Sequence, residues 1–305
     1  YNAAEKSREF REEDKDCLDL SFETICAYGS NAAMCHYAPS KEDCAKVEPK
    51  GFFLIDSGGQ YWQGTTDITR TIAVGPLSEE EKKHFTLVLK GNIRLAMAKF
   101  PYGVGGAHLD ILARGALWDA GLDFNHGTGH GVGYLLNVHE GPQNINWNSG
   151  VRPGGMIPLE EGVLISDEPG LYLEGKYGIR CENLLMCKKA EKNDYAQFMN
   201  FEVVTLVPFE REAIIPELIV KDGTKELEKD VDYEIKSIAN GTNVGTATVT
   251  IVGKGDYDNT STTTTTFTIT PADMSSLTVN VNDQSYTGHQ IRPTVKDSNN
   301  NTQIT

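Results

Sequence analysis

The apolar and polar positions of the 305-residue chain follow two different regimes. Up to about residue 212 helical and strand periods alternate. Residues 52–55 form a short continuous apolar run and residues 67–74 resume with β-branched positions, so the polar, Gly-bearing stretch between them predicts a reversal joining two strands. Leu77-Ser78-Glu79-Glu80-Glu81 places an N-cap serine three residues before a glutamate, the pattern of a helix start. Phe85, Leu89, Ile93, Ala96 and Phe100 then recur at helical spacing and predict one buried face, with Pro101 and Gly103 ending the helix. A second helix is predicted from about Ala107; it carries Leu109, Leu112 and Ala116 and closes at Gly121. Residues 3–16 are charged and helix-favouring, 31–37 are irregular, and strands are predicted at 163–166, 178–187 and 201–207. Helices mixed with antiparallel strand pairs make this part α+β rather than a doubly wound parallel sheet.

Beyond about Glu212 the pattern changes. Residues 214–305 are rich in Thr, Asn, Asp and Val, with strict alternation in Thr246-Ala247-Thr248-Val249-Thr250-Ile251-Val252 and turn signals at Asp222-Gly223 and Gly253-Lys254-Gly255, as in an all-β sandwich. The stretch 216–222 returns as 293–297, the second copy led by Tyr286-Thr287-Gly288. Three segments are therefore expected: 1–212, a β repeat over 213–270 with an incomplete start, and a second, truncated repeat over 271–305. The threonine-rich run at 260–266 reads as a β-edge or a linker.

Composition narrows the classes of function. A net charge of −15 argues against nucleic acid or an anionic membrane as partner, since phosphate binding needs clustered Lys and Arg. No run of 18 apolar residues is present, so no transmembrane helix is expected. No signal peptide is visible; the chain begins at Tyr1 without an initiator Met and reads as a fragment. Cys17, Cys26, Cys35, Cys44, Cys181 and Cys187 make no CxxC pair, and most are expected to be reduced structural thiols, which favours a reducing compartment for the first part.

The candidate chemistry begins at Asp56 and Asp67, which the reversal brings to one place. Two neighbouring buried carboxylates are costly unless a cation sits between them. Three further stretches supply partners. Asn125-His126-Gly127-Thr128-Gly129-His130-Gly131-Val132-Gly133 sets two histidines among glycines that let backbone press close to a site. Ile165-Ser166-Asp167-Glu168-Pro169-Gly170 ends an apolar strand in an acid before a proline. Gly178-Ile179-Arg180-Cys181-Glu182-Asn183 sets Arg180 and Glu182 on one strand face by the two-residue period. Each residue alone has a structural explanation, as a satisfied polar group or a salt bridge. Four carboxylates and one imidazole at strand ends together suit a hard divalent ion more than structural zinc.

Five stretches carry a resemblance: Leu54-Ile55-Asp56-Ser57-Gly58-Gly59-Gln60-Tyr61, Gly64-Thr65-Thr66-Asp67-Ile68-Thr69-Arg70-Thr71, Gly127-Thr128-Gly129-His130-Gly131-Val132-Gly133, Asn137-Val138-His139-Glu140-Gly141-Pro142 and Gly178-Ile179-Arg180-Cys181-Glu182-Asn183-Leu184. In order and spacing residues 1–212 resemble aminopeptidase P, an Xaa-Pro aminopeptidase of the pita-bread (creatinase-like) metallopeptidases. The resemblance implies a pita-bread catalytic domain that hydrolyses the N-terminal Xaa-Pro bond of peptides with proline at the second position, by a hydroxide held between two divalent ions. Mn²⁺ is the expected metal, with Zn²⁺ or Co²⁺ as alternatives. It implies that Asp56 chelates one ion, His130 and Glu168 bind the other, and Asp67 and Glu182 bridge both. It further implies that Glu168 shuttles a proton, that His36, His126 and His139 orient substrate, and that Arg180 fixes the Asp56 carboxylate. A homodimer of the complete protein is compatible with it, as is a cytoplasmic location.

Two departures accompany the likeness. The family's preceding helix and N-terminal domains have no counterpart in this sequence. The tail resembles immunoglobulin-like repeats of bacterial surface proteins, so a junction is expected near Ala213, and a cell-surface or secreted location follows if the tail is native. Two other functions compete: another pita-bread hydrolase such as a methionine aminopeptidase, and a non-catalytic cell-surface binding module.

Overall fold

A computed structural model of the chain describes residues 1–148, 154–215, 220–222, 225–240, 245–257 and 262–269. It divides into two compact units, Tyr1–Pro216 and Glu217–Thr305. The first unit thus extends four residues past the expected 1–212. Its last part is well anchored: Ala213 is fully buried, and Ile215 N–H donates to Thr86 Oγ1.

In chain order the first unit comprises α1 (Asn2–Glu12), β1 (Cys17–Leu20), β2 (Ile25–Tyr28), a 3₁₀ turn (Gly29–Ala33), β3 (Phe52–Ser57), β4 (Gly59–Tyr61), β5 (Gly64–Thr65), β6 (Ile68–Ala73), α2 (Glu79–Ala96), β7 (Lys99–Pro101), α3 (Gly106–Trp118), β8 (Gly129–His130), β9 (Asn144–Ile145), β10 (Leu164–Asp167), β11 (Gly170–Leu173), β12 (Tyr177–Arg180), β13 (Asn183–Lys192) and β14 (Gln197–Val203). The strands pair antiparallel in the orders β1-β4-β5, β2-β3-β6, β8-β9, β10-β13-β14-β7 and β11-β12. Two cores lie against the helices. Leu95, Leu109 and Ala113 pack on Ile165, Leu185, Met199 and Phe201, while Phe85, Val88 and Leu89 pack on Phe52, Leu171, Tyr177 and Ile179. Each such fully buried large side chain contributes about 1.5–3 kcal/mol.

The capping box at the start of α2 is complete, with Ser78 and Glu81 satisfying each other's backbone N–H groups. The helix is shorter than its apolar period suggests. It ends at Ala96, and Phe100 is buried from β7, paired opposite Met199. Pro101 is the reason: the residue before a proline is driven out of the helical region into extended backbone. α3 does close at Gly121, whose φ of +70° suits a residue without Cβ.

The strand expected at 178–187 is interrupted. Asp167 opposes Asn183 and Gly170 opposes Arg180, so one register runs through a long hairpin in which each strand gives way for two residues, at Glu168-Pro169 and at Cys181-Glu182. Pro169 has no N–H to offer the ladder, and the two gaps face each other. Arg180 therefore ends β12 and Glu182 lies in the gap, so the two do not share a continuous strand face. The strand expected at 201–207 is instead β14, Gln197–Val203, because it must pair with both β13 and β7; residues 204–209 leave the sheet.

The 52–74 segment is also more elaborate than one reversal. β3 pairs directly with β6 from Phe52↔Ala73 to Ser57↔Ile68, and the stretch between forms its own small hairpin, β4-β5, joined to β1.

In the second unit, β15 (Lys221–Asp222) pairs with β16 (Lys225–Glu226), and β17 (Tyr233–Ala239), β18 (Gly245–Gly253) and β19 (Thr262–Ile269) form an antiparallel sheet in that order. The threonine run thus supplies an edge strand. Alternation in β18 buries Ala247 and Val249. The expected second repeat, 271–305, lies outside the described residues. Among the described residues no helix is long and apolar enough to cross a membrane.

Candidate active site

All nine residues singled out from the sequence, Asp56, Asp67, His130, Glu168, Glu182, His36, His126, His139 and Arg180, line one cavity of about 840 Å³ in the first unit. The acids come from strand ends. Asp56 sits in β3, opposite Thr69 of β6, and Asp67 immediately precedes β6. The two approach because the chain folds tightly between them: a Cβ on Gly58 would lie 2.0 Å from the Thr66 carbonyl oxygen, so only glycine fits. Glu168 and Glu182 occupy the two facing gaps of the long hairpin; there the Cys181 N–H still donates to the Pro169 carbonyl at 3.2 Å, while the N–H groups of Glu168 and Glu182 turn outward to the Thr128 and Thr69 carbonyls at 2.8 and 3.2 Å.

His130 ends β8, which lies against β10. A Cβ on Gly129 would be 1.9 Å from the Ser166 carbonyl oxygen, and the His130 N–H donates to Ser166 Oγ at 2.9 Å. His130 Nδ1 is 2.9 Å from the Gly131 carbonyl and must carry the proton there. That leaves Nε2 to face Glu168 Oε1 at 3.3 Å and Asp67 Oδ2 at 3.4 Å. One donor atom each from Asp67, His130 and Glu182 lie within 4.8 Å of one another, close enough for a single ion to touch all three. Asp56 and Glu168 flank this trio in the same cavity.

The electrostatics explain what such a cluster lacks. Burial raises Asp56 above the usual carboxylate range even though Arg180 pulls it down, and burial together with Asp67, Glu168 and Asp56 raises Glu182 further. Glu168 is pushed up to about 7 by burial, against the pull of His130. Burial alone would lower His130, but its hydrogen bond to Asp67 and the charge of Glu168 raise it. Asp56 Oδ1 is buried with no hydrogen-bond partner. Four crowded acids, one orphaned oxygen and an imidazole nitrogen aimed at two of those acids fit hard divalent cations.

Arg180 joins the acids to the histidines. Its Nη2 donates to Asp56 Oδ2 at 2.5 Å and its Nε to Thr69 Oγ1 at 3.0 Å, and the Thr69 hydroxyl donates to Glu182 Oε2 at 2.8 Å. Its Nη1 donates to the Tyr172 hydroxyl at 2.7 Å. The Tyr172 hydroxyl therefore donates onward to His126 Nε2 at 2.8 Å, and His126 Nδ1–H donates to the Gly127 carbonyl at 2.7 Å. The chain of donors runs one way and fixes the neutral tautomer of His126. Burial agrees, pushing that imidazole down to about 3. His139 lies edge-on to His130 with ring centroids 4.0 Å apart. His36 is exposed at the cavity wall.

Two supports were not read from the sequence. Tyr172 offers little signal beyond lying opposite Gly178 near Arg180. Arg114 had a clearer one, an Asp110/Arg114 pair at i,i+4 on the apolar face of α3. The Arg114 guanidinium, 1% exposed, bonds Asp110 Oδ2 at 2.6 Å, Asp123 Oδ1 at 2.7 Å, the Phe124 carbonyl at 2.6 Å and the His126 carbonyl at 2.7 Å. It holds the backbone from which His126 projects.

Residues 1–189 match the model of metallopeptidase family M24. The chain belongs to this family. An M24 peptidase domain of pita-bread type accounts for the mixed helices and strands around an acidic cavity. Among relatives, a probable Xaa-Pro aminopeptidase P of Sclerotinia sclerotiorum is 46% identical over 246 residues, covering 78% of this chain and 40% of that protein. Aminopeptidase P2 of Arabidopsis thaliana is 46% identical over 216 residues, covering 70% of this chain and 30% of that protein. The structure of X-prolyl aminopeptidase from Caenorhabditis elegans, described as a cytosolic enzyme with a di-nuclear active site, superposes with a TM-score of 0.65 at 44% identity, covering 70% of this chain and 34% of that one. The M24 chain thus spans 40% or less of the length of these relatives.

Proposed function

We propose that the protein is a metal-dependent aminopeptidase that removes an N-terminal residue preceding proline. The observation that carries this reading is the convergence of nine residues from distant segments on one cavity, with Asp67, His130 and Glu182 within reach of one ion. In this reading Asp56 would hold one divalent ion, His130 and Glu168 would hold a second, and Asp67 and Glu182 would be shared by the two. When bound, two such ions activate a water molecule at neutral pH and polarise the scissile carbonyl. The oxygen-rich set favours Mn²⁺, with Zn²⁺ or Co²⁺ as alternatives.

Glu168, at the cavity beside the proposed ion site, would take the proton of the attacking water and return it to the leaving prolyl nitrogen. Arg180 favours the ionised form of Asp56 against the effect of burial and orients its carboxylate. His126, neutral and locked by Tyr172, together with His36 and His139, positions the peptide along the cavity. An Xaa-Pro bond has no amide N–H, so recognition falls to shape; Phe22, Ile25, Tyr37 and Pro39 give the cavity an apolar wall for it.

The relatives' names and the C. elegans description support peptide substrates with proline second and a cytosolic setting for this unit. A homodimer of the complete protein, and an immunoglobulin-like character for the β-rich unit, expected over 213–270 and beginning at Glu217, with a second repeat at 271–305, belong to the same proposal. The three-stranded antiparallel sheet β17-β18-β19 supports that β character.

The test uses the complete natural protein with Mn²⁺ and two peptide series, Xaa-Pro and Met-Ala. Chelator-sensitive release from Xaa-Pro peptides alone is expected. Release from Met-Ala peptides alone would assign the site to methionine aminopeptidase chemistry, and no release from either by folded, metal-loaded protein would remove the enzymatic reading.

A further inference from the structure

Arg70 of β6 is a buried cation, 7% exposed, and every donor of its guanidinium is used. Nε donates to the Pro208 carbonyl at 3.1 Å. Nη1 donates to the carbonyls of Thr69, at 2.9 Å, and of Glu182. Nη2 donates to Asn183 Oδ1, at 2.9 Å, and to the Val207 carbonyl. The Phe209 ring covers the other side, with Cζ 4.0 Å from its centroid. No carboxylate accepts from this guanidinium among the described residues. Besides the neighbouring Thr69 carbonyl, its acceptors come from two places: Glu182-Asn183, and Val207-Pro208.

Both places need such a partner. Glu182 lies in the gap between β12 and β13, where its backbone faces β6 rather than the opposite strand of the hairpin. Its N–H reaches the Thr69 carbonyl at 3.2 Å and its own carbonyl is held by Arg70, so both ends of this residue depend on positions 69 and 70. The segment after β14 is held along its length: Leu184 N–H donates to Thr205 Oγ1, Val204 N–H to the Leu184 carbonyl, and Ala73 N–H to Glu210 Oε2. Ala213 then closes it into the core. This segment lies beyond residue 189, where the match to the family model ends.

We propose that residues 204–210 form a strap belonging to the metal site, and that Arg70 is the positioning residue through which the strap sets Glu182 and hence metal affinity. The inference rests on the proposed role of Glu182 as a bridging ligand. Arg70 touches neither metal nor substrate. Its planar fork serves five acceptors in fixed directions, whereas a lysine in its place has a single head and cannot span them. Phe209 acts one step further out, by fixing the plane of the guanidinium.

The test measures Mn²⁺ affinity and stoichiometry by calorimetry in the complete protein, with near-UV circular dichroism confirming the fold. Variants are Arg70→Lys, Phe209→Ala, and Leu109→Ala from the other core as a control for general destabilisation. Arg70→Lys is expected to weaken Mn²⁺ binding by about 10–100-fold. Phe209→Ala is expected to weaken it in the same direction by less, and Leu109→Ala to leave it unchanged. Wild-type affinity in folded Arg70→Lys and Phe209→Ala, or equal weakening in Leu109→Ala, would overturn the inference. If Arg70→Lys does not fold, Phe209→Ala against Leu109→Ala decides it. A wild-type protein that binds no Mn²⁺ would overturn the metal reading and this inference together; binding wild type with unaffected variants would overturn this inference alone.

Discussion

The acid side and the histidine side of the cavity are built differently. Asp56, Asp67 and Glu182 are 8%, 6% and 1% exposed and come from paired strands or the gap between them, with arginines bonded to the carboxylate of Asp56 and to the backbone carbonyl of Glu182. His36 and His139 are exposed and project from loops, and His126 is held through its carbonyl by Arg114 and through its ring by Tyr172. A rigid, desolvated wall suits ions that must sit within a few tenths of an ångström, and a wall of loop histidines suits a peptide that must enter and leave. The contrast teaches where substitutions should separate metal binding from turnover.

The largest effect is expected at Glu182. Glu182→Ala removes the proposed bridge and leaves the remaining acids crowded, so metal content and peptidase activity should fall together, activity by more than about 10³-fold. Activity retained at near wild-type level would break the distinction between the two walls. His126→Ala should separate them: metal content stays and turnover drops by about 10²-fold, the usual loss for one positioned polar group. Elemental analysis beside steady-state kinetics checks both, and metal loss in His126→Ala would assign that residue to the acid side.

Arg114→Met tests whether the histidine wall needs its buried support. It leaves Asp110, fully buried, without its cation, so stability should fall by about 3–5 kcal/mol by denaturant titration. At temperatures where the variant stays folded, turnover should fall while Mn²⁺ content is kept. The smallest effect is expected at Ser78→Ala, which removes the α2 cap and costs about 1 kcal/mol. Neither metal content nor kcat should change in it, since the cap lies outside both walls.

Much of this was legible in the chain because the signals were local. The Ser78 capping box, the glycine at 121 and the pair of strands around Asp56 and Asp67 each depend on a few neighbouring residues, and the structure contains all of them. What escaped depends on a partner distant in sequence. Phe100 keeps the helical spacing but obeys Pro101 and the pairing with Met199. The gap at Cys181-Glu182 exists because Glu168-Pro169 faces it across the hairpin, and no period within 178–187 encodes that. Tyr172 and Arg70 act through bonds to residues that only the fold brings near: Tyr172 to His126, and Arg70 to 182–183 and 207–208. The stretches around Asp56 and Asp67, His130 and Glu168 were readable because glycines and a proline mark where backbone must bend, at Gly58, Gly129 and Pro169, whereas His36, His139 and the role of each ligand were legible only through the family resemblance.

The measurement closest to the central claim is the count of divalent ions per chain in purified wild-type protein and in Glu182→Ala after equilibration with Mn²⁺. Two ions are expected in the wild type and fewer than one tightly held ion in the variant. Two ions retained in folded Glu182→Ala would contradict it.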